Sequence, residues 1–112
     1  MARKSMIQAI NEALHQKMEK DSTVVVLGED VGVDGGVFRA TLGLIEKFGE
    51  SRVMDTPLAE SSIVGAAIGM AINGLKPVAE IQFMGFIYQA FDQILCHAAR
   101  FLHRSQGRYS IP

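Results

Sequence analysis

The start of the chain carries apolar residues at helical spacing. Ser5 and Gln8 have the spacing of a capping box at a helix N-terminus. The apolar residues that follow recur every third or fourth position: Ile7, Ile10, Leu14 and Met18. This pattern predicts an amphipathic helix that ends near Lys20.

Short apolar runs further along the chain predict β-strands. Residues 23–27 (TVVVL) form a continuous β-branched run, which is typical of a strand buried on both faces of a parallel sheet. Residues 52–55 and 77–81 are two further short strand candidates, and the latter begins with a proline, as the first position of a strand allows. We expect a fourth strand to begin at Tyr109, so the chain reads as the N-terminal part of a longer protein.

Helices are predicted between these strands. Thr41 is expected to cap a short helix that Gly49 stops. Ser61 or Ser62 is expected to start a second helix. Residues 86–103 then carry an apolar stripe of helical period, which predicts one long helix.

The alternation of helices and apolar strands predicts an α/β fold. We expect a mainly parallel sheet with helices on both faces, in one domain that covers residues 1–112. Ligands of such folds bind at the carboxyl ends of the strands. Three segments lie at that edge: residues 29–30, 55–61 and 82–86.

Composition narrows the class of protein and its partners. The chain has 112 residues, of which 48% are hydrophobic and 21% charged, as in a folded domain. Its net charge of -1 gives no reason to expect nucleic acid or an anionic membrane as partner. A single cysteine excludes an internal disulfide framework. We therefore expect neither nucleic-acid nor membrane binding.

Glu60 is the candidate of most interest at the carboxyl edge of the sheet. It lies where a strand has ended and a helix is about to begin. It is either a first-turn carboxylate that satisfies the helix dipole or a functional carboxylate, and the spacing alone leaves both interpretations open. The helix behind it is rich in small residues such as Gly65 and Gly69, which would let another subunit approach closely.

Other residues at the same edge are secondary candidates. Glu29 and Asp30 follow a buried strand, where they either line a ligand site or serve loop solvation and capping. Phe86 stands at a loop–helix junction, where its ring can face a ligand. Phe91, in contrast, falls on the apolar helix stripe and is expected to lie in the core.

Several kinds of binding site are not supported by the motifs. The loop around Asp30 and Asp34 has no glutamate at the last position of an EF-hand. Cys96, His97 and His103 do not have the spacing of metal ligands. Neither GxGxxG nor GxxxxGK[ST] occurs. We therefore expect no metal ligand in this chain.

Long stretches of the sequence resemble a known family. LGEDVGVDGGVFRAT, RVMDTPLAESSIVGAAIGMAINGLKPVAEIQFMGF and AFDQI are similar to the N-terminal part of the β subunit of the thiamine-diphosphate-dependent 2-oxo acid dehydrogenases, the E1 component. The likeness is nearly continuous from residue 5 to residue 112. It looks nearest to the bacterial pyruvate dehydrogenases.

The resemblance implies a truncated transketolase-like pyrimidine-binding fold that holds the aminopyrimidine half of thiamine diphosphate. Glu60 matches the family's catalytic glutamate, which bonds ring nitrogen N1′ and promotes ylide formation. Sharing that proton near neutral pH requires a shielded carboxyl, so we expect Glu60 to be buried in the assembled subunits. The other matches are Phe86, which stacks on the pyrimidine, Leu58, whose backbone approaches its amino group, and Gln82 and Glu29, which line the pocket.

The resemblance also implies partners. The family's Mg²⁺-diphosphate motif, a GDG followed by an Asn, does not occur in this sequence and belongs to the family's α subunit. We expect an α2β2 heterotetramer that works with a lipoyl E2 acyltransferase on pyruvate in the bacterial cytoplasm. The alternatives are a branched-chain 2-oxo acid or acetoin dehydrogenase β subunit, or a non-catalytic interaction module of the same fold.

Overall fold

The computed structural model describes residues 3–112. Its helices are α1 (Met6–Lys20), α2 (Leu44–Phe48), α3 (Glu60–Ile72), α4 (Ile87–Asp92) and α5 (Phe101–Arg104). Its strands are β1 (Val24–Gly28), β2 (Val53–Asp55) and β3 (Lys76–Ala79). A 3-10 turn (Met84–Phe86), a π-helical segment (Gln93–His97) and a second 3-10 turn (Ala98–Arg100) complete the C-terminal part.

The described strands form one parallel sheet in the order β2-β1-β3. β1 pairs with β2 from Val26 opposite Val53, and with β3 from Val24 opposite Lys76. β1 is therefore central, and every residue in it is buried. This confirms the prediction from its continuous β-branched run.

Helices cover both faces of the sheet, as predicted. On one face, Met18 of α1 and Leu44 of α2 pack with Val26 of the central strand. On the other face, Ile63 and Ala67 of α3 pack with Leu27. Successive residues of β1 therefore pack into hydrophobic cores on opposite faces of the sheet, because side chains alternate along a strand.

The N-terminal helix has the cap that its sequence predicts. Ser5 Oγ accepts a hydrogen bond from the Gln8 backbone N–H at 3.2 Å, and Gln8 Oε1 accepts one from the Ser5 N–H at 2.9 Å. Together these bonds satisfy two donors that a helix N-terminus otherwise leaves unpaired. The helix ends at Lys20, as expected.

The starts of α2 and α3 differ from the prediction. Thr41 does not cap α2, because its side chain is buried and the helix begins at Leu44 after Gly43, a glycine in the left-handed region at φ 78°. The backbone carbonyl of Thr41, not its hydroxyl, accepts from the Leu44 N–H at 3.1 Å. α3 begins at Glu60, ahead of both serines that we expected to start it.

The predicted long helix over residues 86–103 is wrong as a single element. Of the residues in α4, the π-helical segment and α5, only Ala90 is buried. Phe91 is 52% exposed, so its expected place in the core is also wrong. A helix in a protein is stabilised mainly by packing of its apolar face. Because the apolar stripe of residues 86–103 is mostly exposed, it does not stabilise one continuous α-helix.

The expected fourth strand is likewise not formed in the described chain. Residues 109–112 have no regular structure, and the Tyr109 N–H donates to Ser105 Oγ at 3.2 Å. A strand needs a partner for its backbone groups, and the residues from Tyr109 onward pair with no neighbouring strand among residues 3–112. Across the same described range, no helix is both long and apolar enough to span a membrane.

Candidate functional site

The carboxyl ends of the three strands converge on Gly28. Its carbonyl accepts from the Thr56 N–H at 2.9 Å, and the preceding Leu27 carbonyl accepts from the Glu80 N–H at 2.8 Å. A Cβ at Gly28 would stand 2.8 Å from the Cβ of Glu80 and 2.9 Å from its carbonyl oxygen. Only glycine fits such a close approach, which brings the segments after β2 and β3 against the end of β1.

Two of the predicted site residues are in direct contact. Gln82 Nε2 donates to the Glu29 carbonyl at 3.4 Å and to Asp30 Oδ2 at 3.2 Å. Asp30 has φ 57°, a left-handed conformation that Asp tolerates, and it turns the chain directly after Glu29. The loop after β1 is therefore joined to the segment after β3 through Gln82.

Glu80 is a residue of this edge that sequence reasoning missed. Its Oε2 is buried without a hydrogen-bond partner among the described residues. Burial, reinforced by the negative charges of Glu29 and Asp30, raises the pKa of Glu80 above its ordinary value. It was missed because residues 77–81 read as a strand, whereas β3 ends at Ala79 and leaves Glu80 at the edge.

Asp55 fixes the loop after β1 from the opposite side. Its carboxylate accepts from the Gly32 N–H at 2.6 Å and from the Val33 N–H at 3.4 Å. A Cβ at Gly32 would stand 2.5 Å from Asp55 Oδ2. Asp55 closes β2, so the same residue holds the acidic loop and begins the segment that leads to Glu60.

Glu60 lies in the first turn of α3 and is only 4% exposed. The carbonyl of Ala59 accepts from the backbone N–H groups of Ser62 and Ile63 at 2.9 Å each, which starts the helix. The hydroxyl of Ser61 donates to the carbonyl of Gln89, which ties the start of α3 to α4. The fold of this chain alone therefore buries most of the surface of Glu60 as a residue.

The two apolar candidates remain accessible. Leu58 is 65% exposed, on the segment between β2 and α3. Phe86 is 38% exposed and ends the 3-10 turn that precedes α4, as its predicted junction position requires.

The structure thus joins Glu29 to Gln82. Leu58 and Glu60 follow β2 and Phe86 follows β3, and no hydrogen bond among the described residues joins these three to Gln82. A carboxyl group, an exposed aromatic ring and an amide side chain are the groups that would bind a flat nitrogen heterocycle by proton sharing, stacking and hydrogen bonding. The donor set therefore fits a pyrimidine ring.

An apolar groove of about 370 Å³ lies elsewhere, between α1 and β3. Ile10 and Leu14 of α1 and Val78 of β3 line it. None of the predicted site residues contributes to it, so its lining has no part in the chemistry expected at the carboxyl edge.

Comparison with known proteins identifies the class. The chain matches the family described as the transketolase pyrimidine-binding domain over residues 2–106. It belongs to that family, and the parallel sheet with its carboxyl-edge site is the part of the fold that the match covers.

Three relatives of this chain are described as the same subunit. The chain is 58% identical over 112 residues to the pyruvate dehydrogenase E1 component subunit beta of Acholeplasma laidlawii. It is 55% identical to that of Bacillus subtilis and 54% identical to that of Staphylococcus epidermidis. All of this chain is covered in each case, but only 34% of the relative. The chain therefore spans about a third of the length of these proteins. The identity over its whole length confirms the resemblance drawn from its motifs.

Proposed function

We propose that this chain is the pyrimidine-binding part of the β subunit of a pyruvate dehydrogenase E1 component, and that it binds the aminopyrimidine of thiamine diphosphate. The observation that carries the proposal is the burial of Glu60, 4% exposed, at the carboxyl edge of a parallel sheet. Acidic residues are rarely buried, and ligands of such folds bind at this edge, so a buried acidic residue here is a candidate for a functional carboxylate. The relatives named above supply the class of enzyme.

The residues of the edge have separate roles in this proposal. Glu60 holds a proton against ring nitrogen N1′ of the pyrimidine, and Phe86 stacks on the ring. Leu58 presents its backbone to the amino group of the pyrimidine. Gln82 and Glu29, already in contact with each other, line the same pocket. When bound, thiamine diphosphate supplies the carbon nucleophile and the electron sink for decarboxylation.

The remaining groups of the active site come from partners in this proposal. The α subunit binds Mg²⁺ and the diphosphate in an α2β2 assembly, and a lipoyl E2 acyltransferase accepts the acetyl group. A cytoplasmic location is part of the same proposal and stays a prediction. The family match supports the pyrimidine-binding role, and the identity to β subunits supports the choice of partners.

Reconstitution tests the proposal. The full-length β subunit that contains this chain is co-purified with its α partner and assayed with thiamine diphosphate on pyruvate, branched-chain 2-oxo acids and acetoin. We expect cofactor-dependent decarboxylation of pyruvate above the other substrates. Preference for a branched-chain acid or acetoin would reassign the substrate, and failure to bind thiamine diphosphate would leave a non-catalytic module.

A further inference from the structure

Three phenylalanine rings at the carboxyl edge form a continuous edge-to-face row, which we call the aromatic row: Phe38, Phe83 and Phe86. The centroids of Phe38 and Phe83 are 5.6 Å apart with an interplanar angle of 74°. Those of Phe83 and Phe86 are 5.4 Å apart at 71°. Both pairs have the T-shaped geometry that favours aromatic contact.

Phe83 holds Phe86 in two ways. Its ring packs against the Phe86 ring, and its carbonyl accepts a hydrogen bond from the Phe86 N–H at 2.9 Å. The turn between them is only three residues long and has no side-chain cap at its start. A ring contact and a backbone hydrogen bond therefore both join Phe83 to Phe86.

Phe38 supports the row from another part of the chain. It lies beyond the glycine-rich loop that follows β1, whereas Phe83 and Phe86 follow β3. The row therefore links the two segments that also meet through Gln82. All three rings are partly exposed, at 53%, 45% and 38% in chain order, so the row lies open at the surface of this chain and is not a buried core cluster.

We propose that Phe83 is a positioning residue for the pyrimidine site: it fixes the plane of the Phe86 ring so that a ring face meets the flat ligand, and Phe38 supports it from behind. This rests on the proposed function, because it assumes that Phe86 stacks on the pyrimidine of thiamine diphosphate. Phe83 itself need not touch the ligand. Its effect on binding passes through Phe86.

The test measures the dissociation constant of thiamine diphosphate by calorimetry, in the full-length β subunit assembled with its α partner. Phe83→Leu keeps apolar bulk but removes the edge-to-face contact, and we expect about threefold to tenfold weaker binding. Phe83→Tyr keeps the ring and is expected to bind as the wild type does. Tyr88→Leu is the matched control, because Tyr88 is an aromatic residue outside the row that is 77% exposed.

A double-mutant cycle separates positioning from general loss of structure. In a Phe86→Ala background, Phe83→Leu is expected to weaken binding no further, because the ring that it positions is gone. Wild-type affinity in Phe83→Leu, or an equal loss in both backgrounds, would overturn the positioning role. If Phe83→Leu fails to assemble, Phe38→Leu replaces it, with a loss of about threefold expected and wild-type affinity contradicting the proposal.

The same double-mutant cycle distinguishes failure of the positioning role of Phe83 from failure of the proposed function. If Phe86→Ala alone binds thiamine diphosphate as tightly as the wild type, stacking on Phe86 fails and the proposed function loses its aromatic contact. If Phe86→Ala binds weakly while Phe83→Leu is unchanged, only the positioning role of Phe83 fails.

Discussion

Glu80, at the carboxyl edge, makes the stability of the fold depend on pH. Its raised pKa means that the folded chain binds a proton at Glu80 more tightly than the unfolded chain does. This contribution to stability is complete below the ordinary pKa of a glutamate and is lost as the pH rises through the raised value. Asp21, whose pKa is lowered chiefly by its bond to Lys76, acts in the opposite sense and loses its contribution on acidification.

We predict that Glu80→Gln removes the part of the pH dependence due to Glu80. The amide resembles the protonated carboxyl, so the variant should gain stability relative to the wild type as the pH rises from about 4 to about 8. Urea unfolding at several pH values measures the difference. If the difference in stability between the variant and the wild type stayed constant across that range, the pKa of Glu80 would not be raised by burial and by its acidic neighbours.

The close approach at Gly28 gives a second prediction. Gly28→Ala should destabilise the chain by about 1–3 kcal/mol, because the added Cβ would meet the backbone of Glu80, which is held by its bond to Leu27. Gly69→Ala is the matched control, because a Cβ built there meets nothing within 4 Å. It lies inside α3 and should stabilise the chain by up to about 1 kcal/mol. Equal effects of the two substitutions in thermal unfolding would contradict this account.

At the residue scale, the sequence predicts positions better than contacts. Glu60 and Phe86 were placed at element junctions from local pattern, and both lie there. Asp55 and Glu80 acquire their roles from contacts with Gly32 and Gly28, which are distant in sequence. Nothing in the local pattern around either residue records such a contact.

At the element scale, Arg52 joins the end of α1 to the sheet. Its Nη2 donates to the carbonyls of Met18 at 2.9 Å, Asp21 at 2.8 Å and Val24 at 2.7 Å. Its guanidinium carbon lies 5.1 Å from the centroid of the Phe48 ring. One planar cation therefore satisfies carbonyls at the C-terminus of α1 and at the start of β1 while it packs on α2.

We predict that Arg52→Lys destabilises the chain by about 1–3 kcal/mol, since a single ammonium cannot reproduce the fork of donors. Arg108→Lys serves as the control, because Arg108 is exposed and its replacement should stay within about 0.5 kcal/mol. Urea unfolding measures both. Equal stability of Arg52→Lys and the wild type would show that the carbonyls are satisfied by water as well as by the arginine.

The elements that were predicted correctly are those whose pattern agrees with their burial. α1 has its capping box, and β1 has an uninterrupted β-branched run that the fold buries completely. The stretch over residues 86–103 has a helical stripe but buries little of it, so its geometry changes from α to π to 3-10. The apolar pattern alone does not show whether a partner surface is present to pack against it.

At the scale of the whole molecule, the proposed function gives this chain one side of a cofactor site. The chain spans about a third of the relatives that it matches, and its sequence lacks the motif of the Mg²⁺-diphosphate half. The open aromatic row and the exposed apolar side chains of residues 91–102 are consistent with surfaces that meet other parts of an assembly. The sequence predicted the parallel sheet and the family, whereas the arrangement of the assembly that we propose depends on other chains.

The central claim is that Glu60 shares its proton with the pyrimidine of thiamine diphosphate. Its most direct test is exchange of the C2 proton of the bound cofactor, followed by NMR in the assembled enzyme with Glu60→Gln. We expect the variant to fold and to bind the cofactor, and the exchange to slow by about 100-fold or more, as the loss of a positioned acid–base group predicts. Exchange at the wild-type rate in a cofactor-loaded Glu60→Gln enzyme would contradict the claim.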